Sequence, residues 1–135
     1  MIVVDASVWI SSLIEQDINH PISLQWFEAY TDGGGVLVEP VFFLVEVAGA
    51  VARLRGSPAD GKLAASRLSA ISGLRLVGQD AQFSEAAADL AADLRLRGAD
   101  AIYVATAHLL GIPLLTWDRE QRERAGAVVR VHTPA

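Results

Sequence analysis

Four acidic residues stand where folding could gather them around one cation. Asp5 directly follows the apolar run Ile2-Val3-Val4, and Asp118 follows Leu114-Leu115-Thr116-Trp117. In open parallel α/β sheets, ligands bind beyond the carboxyl ends of the strands, so both residues point to that edge. Aspartate is also a preferred N-cap, and each fits equally as the plain start of the next helix. Glu46 lies in Val41-Phe-Phe-Leu-Val-Glu46-Val-Ala-Gly-Ala-Val-Ala, a helix apolar almost all round and so expected to be buried. A buried carboxylate needs a cation, a proton or strong donors. The nearest base along the chain is Arg53, seven residues on, and an ion pair with a distant arginine is the competing reading. Asp100 opens another helical pattern, Asp100-Ala-Ile-Tyr103-Val-Ala, again as ligand or cap.

Carboxylates without cysteine, and without histidine at ligand spacing, describe a hard, all-oxygen site. Such a site suits Mg²⁺ or Mn²⁺ and not Zn²⁺. Ions held this way, as a pair about 3.5–4 Å apart in two-metal sites, activate water and steady the leaving oxygen in phosphodiester cleavage. Ser7 and Thr116 fit as hydroxyls that orient a carboxylate or a water, or as further caps. The absence of cysteine excludes disulfides and thiol nucleophiles. There is no Gly-x-Ser-x-Gly elbow and no phosphate-binding loop followed by Lys-Ser/Thr, and Gly33-Gly34-Gly35 lacks both. His20 and His132 read as surface residues, and His108 as a charge at a helix C-terminus. Trp9, Trp26, Phe27 and Tyr30 fall at helical spacing, which makes most of them core and leaves any exposed subset as a partner surface.

To bring these residues together, the chain needs short buried strands alternating with helices. Strands are expected at 1–4, 36–38, 74–77, 113–116 and 128–131. Helical patterns run over about 7–15, 21–31, 40–55, 58–72, 82–97, 100–110 and 119–125. This predicts one α/β domain over 1–135, a three-layer α/β/α sandwich around a mostly parallel sheet of about five strands. Pro40 is expected to open the third helix, Ser57-Pro58 the fourth, and Gly98 to close the fifth.

The 135 residues are 52% hydrophobic and 20% charged, a globular composition. The first apolar run stops at Asp5 and no run reaches membrane-spanning length, so a cytoplasmic protein without membrane attachment is expected. The net charge of −5 argues at first against a nucleic-acid partner, but four of the negative charges belong to the four acids named above. Ten of the eleven basic residues are arginine, the side chain best shaped for phosphate, and Arg53, Arg55, Arg95, Arg97 and Arg119 fall near helix ends or turns.

Val3-Val4-Asp5-Ala6-Ser7, the internal Glu46, Asp100-Ala-Ile-Tyr103-Val-Ala-x-Ala107 and Gly111-Ile-Pro-Leu-Leu-Thr116-Trp-Asp118, in this order, resemble the PIN-domain family over essentially the whole chain. A free-standing domain of this length resembles the VapC toxins of toxin–antitoxin pairs. The resemblance implies a Mg²⁺- or Mn²⁺-dependent endoribonuclease, usually a homodimer, silenced by a small VapB-like antitoxin. It puts Asp5, Glu46, Asp100 and Asp118 at the family's acidic positions and Ser7 and Thr116 at its supporting hydroxyls. Two positions depart from the pattern. Trp117 is bulkier than the usual residue between that Thr and Asp, and Gln121 replaces an apolar residue that docks the last helix. Two other functions compete. One is an inactive PIN fold kept as a binding module. The other is a haloacid-dehalogenase-like phosphatase, which wants a second Asp where Ser7 stands.

Overall fold

The computed structural model describes residues 1–135. In chain order it runs β1 (Val3–Val4), α1 (Ala6–Leu13), α2 (His20–Asp32), β2 (Leu37–Pro40), α3 (Phe42–Arg55), α4 (Pro58–Ser69), β3 (Leu74–Val77), α5 (Ala81–Leu94), α6 (Gly98–Leu110), β4 (Leu114–Leu115), α7 (Arg119–Ala125) and β5 (Val131–His132). Every strand pair is parallel, forming one ladder β1-β4-β5 and another β2-β3. A single bridge, Ile2 to Leu37, joins them, so the strands follow the order β3-β2-β1-β4-β5. In that order the chain winds to one side of β1 and then to the other. The crevice where ligands bind in such sheets therefore opens between β1 and β4.

The break between the two ladders has a local cause. Ile2 N–H donates to Val36 O and Val38 N–H to Ile2 O, at 3.1 and 3.0 Å. One step further along, the backbones part, and Val4 N–H donates instead to the Glu39 side chain at 2.9 Å. On its other edge β1 stays zipped to β4, and Asp5 N–H still donates to Leu115 O at 2.9 Å.

The core gathers Val3, Val4, Leu114 and Leu115 from the strands with Val8, Trp9, Phe43, Val47, Tyr103, Val104 and Ala125 from the helices. Two glycines permit close approaches. A Cβ on Gly35 would run into the Tyr30 ring, and one on Gly61 would fall 2.5 Å from Ala48 O, where α4 lies on α3. No helix is long and apolar enough to cross a membrane.

Several boundaries differ from the sequence reading. Pro40 ends β2 and does not open α3, whose first residue is Phe42. As the last strand residue, Pro40 is spared the ladder bond that it could not donate. Helix α5 stops at Leu94 because Arg95 turns left-handed at φ 54°, and Gly98 begins α6 instead of closing α5. The last strand is Val131–His132, not 128–131. Val128 and Val129 belong to the turn after α7, both donating to Ala125 O. Helix α3 is not buried all round either: Val45 is 69% exposed, and Leu54 is exposed with it, as is Val41 just before the helix.

Candidate metal centre at the strand ends

Asp5 caps α1 immediately after β1 and is 4% exposed. Its Oδ2 accepts from Ser7 N–H at 3.0 Å and from the Thr116 hydroxyl at 3.2 Å. Its Oδ1 accepts from the Gln121 amide at 3.3 Å. Three of the roughly four lone-pair directions of a carboxylate are thus taken, and one on Oδ1 is left to offer. Thr116 Oγ1 in turn accepts from Asp118 N–H at 3.0 Å, and the Ser7 hydroxyl accepts from Trp117 N–H at 3.1 Å. The two expected hydroxyls therefore tie the end of β4 to the start of α1. Trp117, the bulky departure, donates its indole N–H to Ser23 on α2 at 2.8 Å.

Asp118 caps α7, its Oδ1 accepting from Gln121 N–H at 2.8 Å. Asp100 sits in the first turn of α6 and caps nothing; Arg97 is the N-cap there. The Arg97 guanidinium spans the two acids, with Nε donating to Asp100 Oδ2 at 3.1 Å and a terminal N–H to Asp118 Oδ2 at 3.2 Å. Glu46 is half-buried, accepts from the Tyr103 hydroxyl at 3.2 Å and forms no ion pair with any arginine.

Electrostatics link the four acids. Burial pushes the Glu46 carboxyl up, and the charges of Asp5 and Asp100 push it further, against the Tyr103 hydrogen bond and the more distant Arg97. Burial likewise raises Asp100; Arg97 pulls it back down, while Asp5 and Asp118 add to the rise. Residues from α1, α3, α6 and the start of α7 thus share one field at the β1–β4 crevice. As the side chains stand, no three acids converge into a ligand cage. The donors are nonetheless all oxygen, and the positive charge between Asp100 and Asp118 is supplied by Arg97. A hard cation fits this donor set.

Three further residues shape the site: Glu39 was not singled out by the sequence, Tyr103 stood only within a motif, and Gln121 only as a departure from the family pattern. Glu39, 0% exposed, accepts from Val4 N–H and from the Trp9 indole at 3.2 Å, while its Oε2 has no partner. Burial lifts its carboxyl well above the usual range, against the two hydrogen bonds. An acid inside the apolar run Leu37-Val38-Glu39-Pro40 was the available signal. Tyr103 lies three residues after Asp100, on the same helix face. Gln121 lies three residues after Asp118, where a capping box places its Gln.

The profile of the PIN domain family matches residues 2–127, and the chain belongs to that family. No curated protein sequence matches it. Among solved structures, it is similar to VapC20 of Mycobacterium tuberculosis, described as a sarcin-ricin-loop-cleaving toxin. The TM-score is 0.80 at 20% identity, over 98% of this chain and 99% of that one. A toxin–antitoxin complex from Klebsiella pneumoniae matches with a TM-score of 0.71 at 18% identity, over 100% of this chain and 98% of the other. DNA-bound VapBC from Salmonella typhimurium gives 0.73 at 16% identity, over 99% and 98%. The fold is that of the VapC toxins, as the ordered motifs implied.

Proposed function

We propose that this protein is a metal-dependent endoribonuclease of the VapC type, acting in the cytoplasm as a single PIN domain over residues 1–135. One observation carries the reading: Gln121 touches Asp5, Asp100 and Asp118, Arg97 bridges the last two, and Tyr103, one turn along α6 from Asp100, holds Glu46, so four acids distant in sequence meet by the crevice between β1 and β4. Asp5, Asp100 and Asp118 would hold Mg²⁺ or Mn²⁺, and Glu46 would hold the ion or orient a water. When bound, such an ion supplies the charge that activates water and steadies the leaving oxygen. The chain supplies position. Thr116, Ser7 and Gln121 fix the Asp5 carboxylate, so that it offers a single lone pair on Oδ1. Tyr103 holds Glu46 toward the same space, and no side chain has to act as a covalent nucleophile.

For partners we assign RNA as substrate, a second copy of the chain, and a small antitoxin of the kind that its structural relatives are found with. The exposed Val45 of α3 and Val41 just before it offer apolar area for the second copy. A second reading, an inactive fold kept as a binding module, is favoured by the missing ligand cage and by Arg97 lying across two of the acids.

Cleavage of RNA and calorimetric titration with Mn²⁺ separate the two. The nuclease reading expects cutting that chelator abolishes, heat of binding at or below millimolar Mn²⁺, and loss of cutting in Asp5→Asn with the fold intact. Wild-type cutting by Asp5→Asn, or no Mn²⁺ binding by the wild type, would remove it.

A further inference from the structure

Arg97 is the N-cap of α6 but does not use its side chain to cap it. It caps α6 through its backbone alone, its carbonyl accepting from Ala101 N–H at 2.9 Å, and its side chain makes no cap hydrogen bond. The guanidinium reaches instead from the protein surface into the acids. Its side chain is 73% exposed, against 16% for Asp100 and 28% for Asp118. Of the five N–H donors that an arginine carries, two are engaged with carboxylates. The others are directed elsewhere than at the protein.

From this geometry we propose that Arg97 is an exchangeable cation built into the site: it holds Asp100 and Asp118 together while no divalent ion is bound, releases them when one enters, and then grips a phosphate of the RNA strand. The inference rests on the nuclease reading and extends it to how the site is guarded and how the substrate is held. Three physical points support it. A carboxylate oxygen occupied by a guanidinium at 3.1–3.2 Å is blocked as a metal ligand from that side, so ion and arginine compete. An ion pair so exposed is weakly held and exchanges readily with a stronger cation. A guanidinium set free at the rim keeps its charge and its planar fork, the shape that matches phosphate oxygens.

The test uses the full chain with Arg97→Gln and, as a control that removes the same charge elsewhere, Arg75→Gln on the exposed face of β3. Mn²⁺ binding is read by calorimetry. Binding of a fluorescein-labelled mixed-sequence oligoribonucleotide is read by anisotropy in Ca²⁺ at several salt concentrations. Arg97→Gln is expected to bind Mn²⁺ at least about twofold more tightly, since the competing pairs are lost. It should bind the oligoribonucleotide more weakly, with a salt slope shallower by about 0.7, the value of one phosphate contact on a single strand. Arg75→Gln should match the wild type in both. An equal gain in Mn²⁺ affinity for both variants would make the effect one of bulk charge and overturn the proposal, as would Arg97→Gln behaving like the wild type. In either case a wild type that binds Mn²⁺ and cuts RNA keeps the nuclease reading. A wild type that does neither brings down both.

Discussion

Gln121 and Asp5 lie 116 residues apart in sequence and are joined by one hydrogen bond, from the Gln121 amide to Asp5 Oδ1 at 3.3 Å. The same amide also reaches Asp100 O at 3.4 Å, and the backbone N–H of Gln121 donates to Asp118. One fully buried residue thus touches three of the four acid positions. Its own Oε1 finds no partner, so the residue sits there at a cost to the core.

Replacing Gln121 by Leu keeps most of the volume and removes the donor. Gln121 is fully buried, so water does not readily take the place of its amide, and a loss of about 1–3 kcal/mol is expected, partly offset by relief of the orphaned Oε1. Urea denaturation measures the stability, and Mn²⁺-dependent cutting should fall with it as Asp5 loses its fixed orientation. Unchanged values for both would show that Asp5 is held by Thr116 and Ser7 alone.

Glu39 makes stability depend on pH. Its folded-state carboxyl is raised by burial above its unfolded value, so its contribution is full below the ordinary glutamate range. It is lost as pH climbs from there through the raised folded value. Glu39→Gln keeps an acceptor for Val4 N–H and the Trp9 indole and cannot ionise. Thermal melts should show the variant gaining on the wild type as pH rises from 5 to 8. A constant difference across that range would mean that Glu39 does not titrate there.

Tyr103→Phe removes the only hydrogen bond of the Glu46 side chain while leaving the buried ring in place. Glu46 is half-buried and can recruit water, so the stability cost should stay near 1 kcal/mol in a urea titration. Cutting should suffer more than folding does, because Glu46 is then free to turn away from the other acids. Full cutting by this variant would leave Tyr103 as packing only.

Gly61→Ala tests the seat of α3. Its new Cβ would fall 2.5 Å from Ala48 O and 2.9 Å from Ala52 Cβ, so the two helices must move apart. Overpacking of this kind costs about 1–3 kcal/mol, against a helix-propensity gain of about 1. A melting temperature at or above the wild type's would show that the α3–α4 contact yields freely.

The positions of Asp5 and Asp118 were legible because an acid ending an apolar strand run in an α/β pattern has few places to go. Glu46 was legible as a lone charge in an apolar helix, although the exposure of Val41 and Val45 makes its setting less dry than that helix suggested. Glu39 was not, since Val36–Val38 read as the whole strand and Pro40 as a helix opener. The strand in fact continues to Pro40, because β3 pairs with it as far as Val77. That pairing is tertiary, and no local pattern encodes it. The fifth strand slipped for the same reason: two residues suffice once β4 sets the register, and the apolar Val128-Val129 pair made the better local candidate. The bridge from Arg97 to Asp118 spans 21 residues, across α6 and β4, beyond what spacing alone can place.

The strand order has a last consequence for how the site is assembled. β4 pairs with β1 from the far end of the domain, so Asp118 and Gln121 come beside Asp5 only through that long-range ladder. A chain in which β1 and β4 have parted has no assembled site, whichever of its helices stay folded.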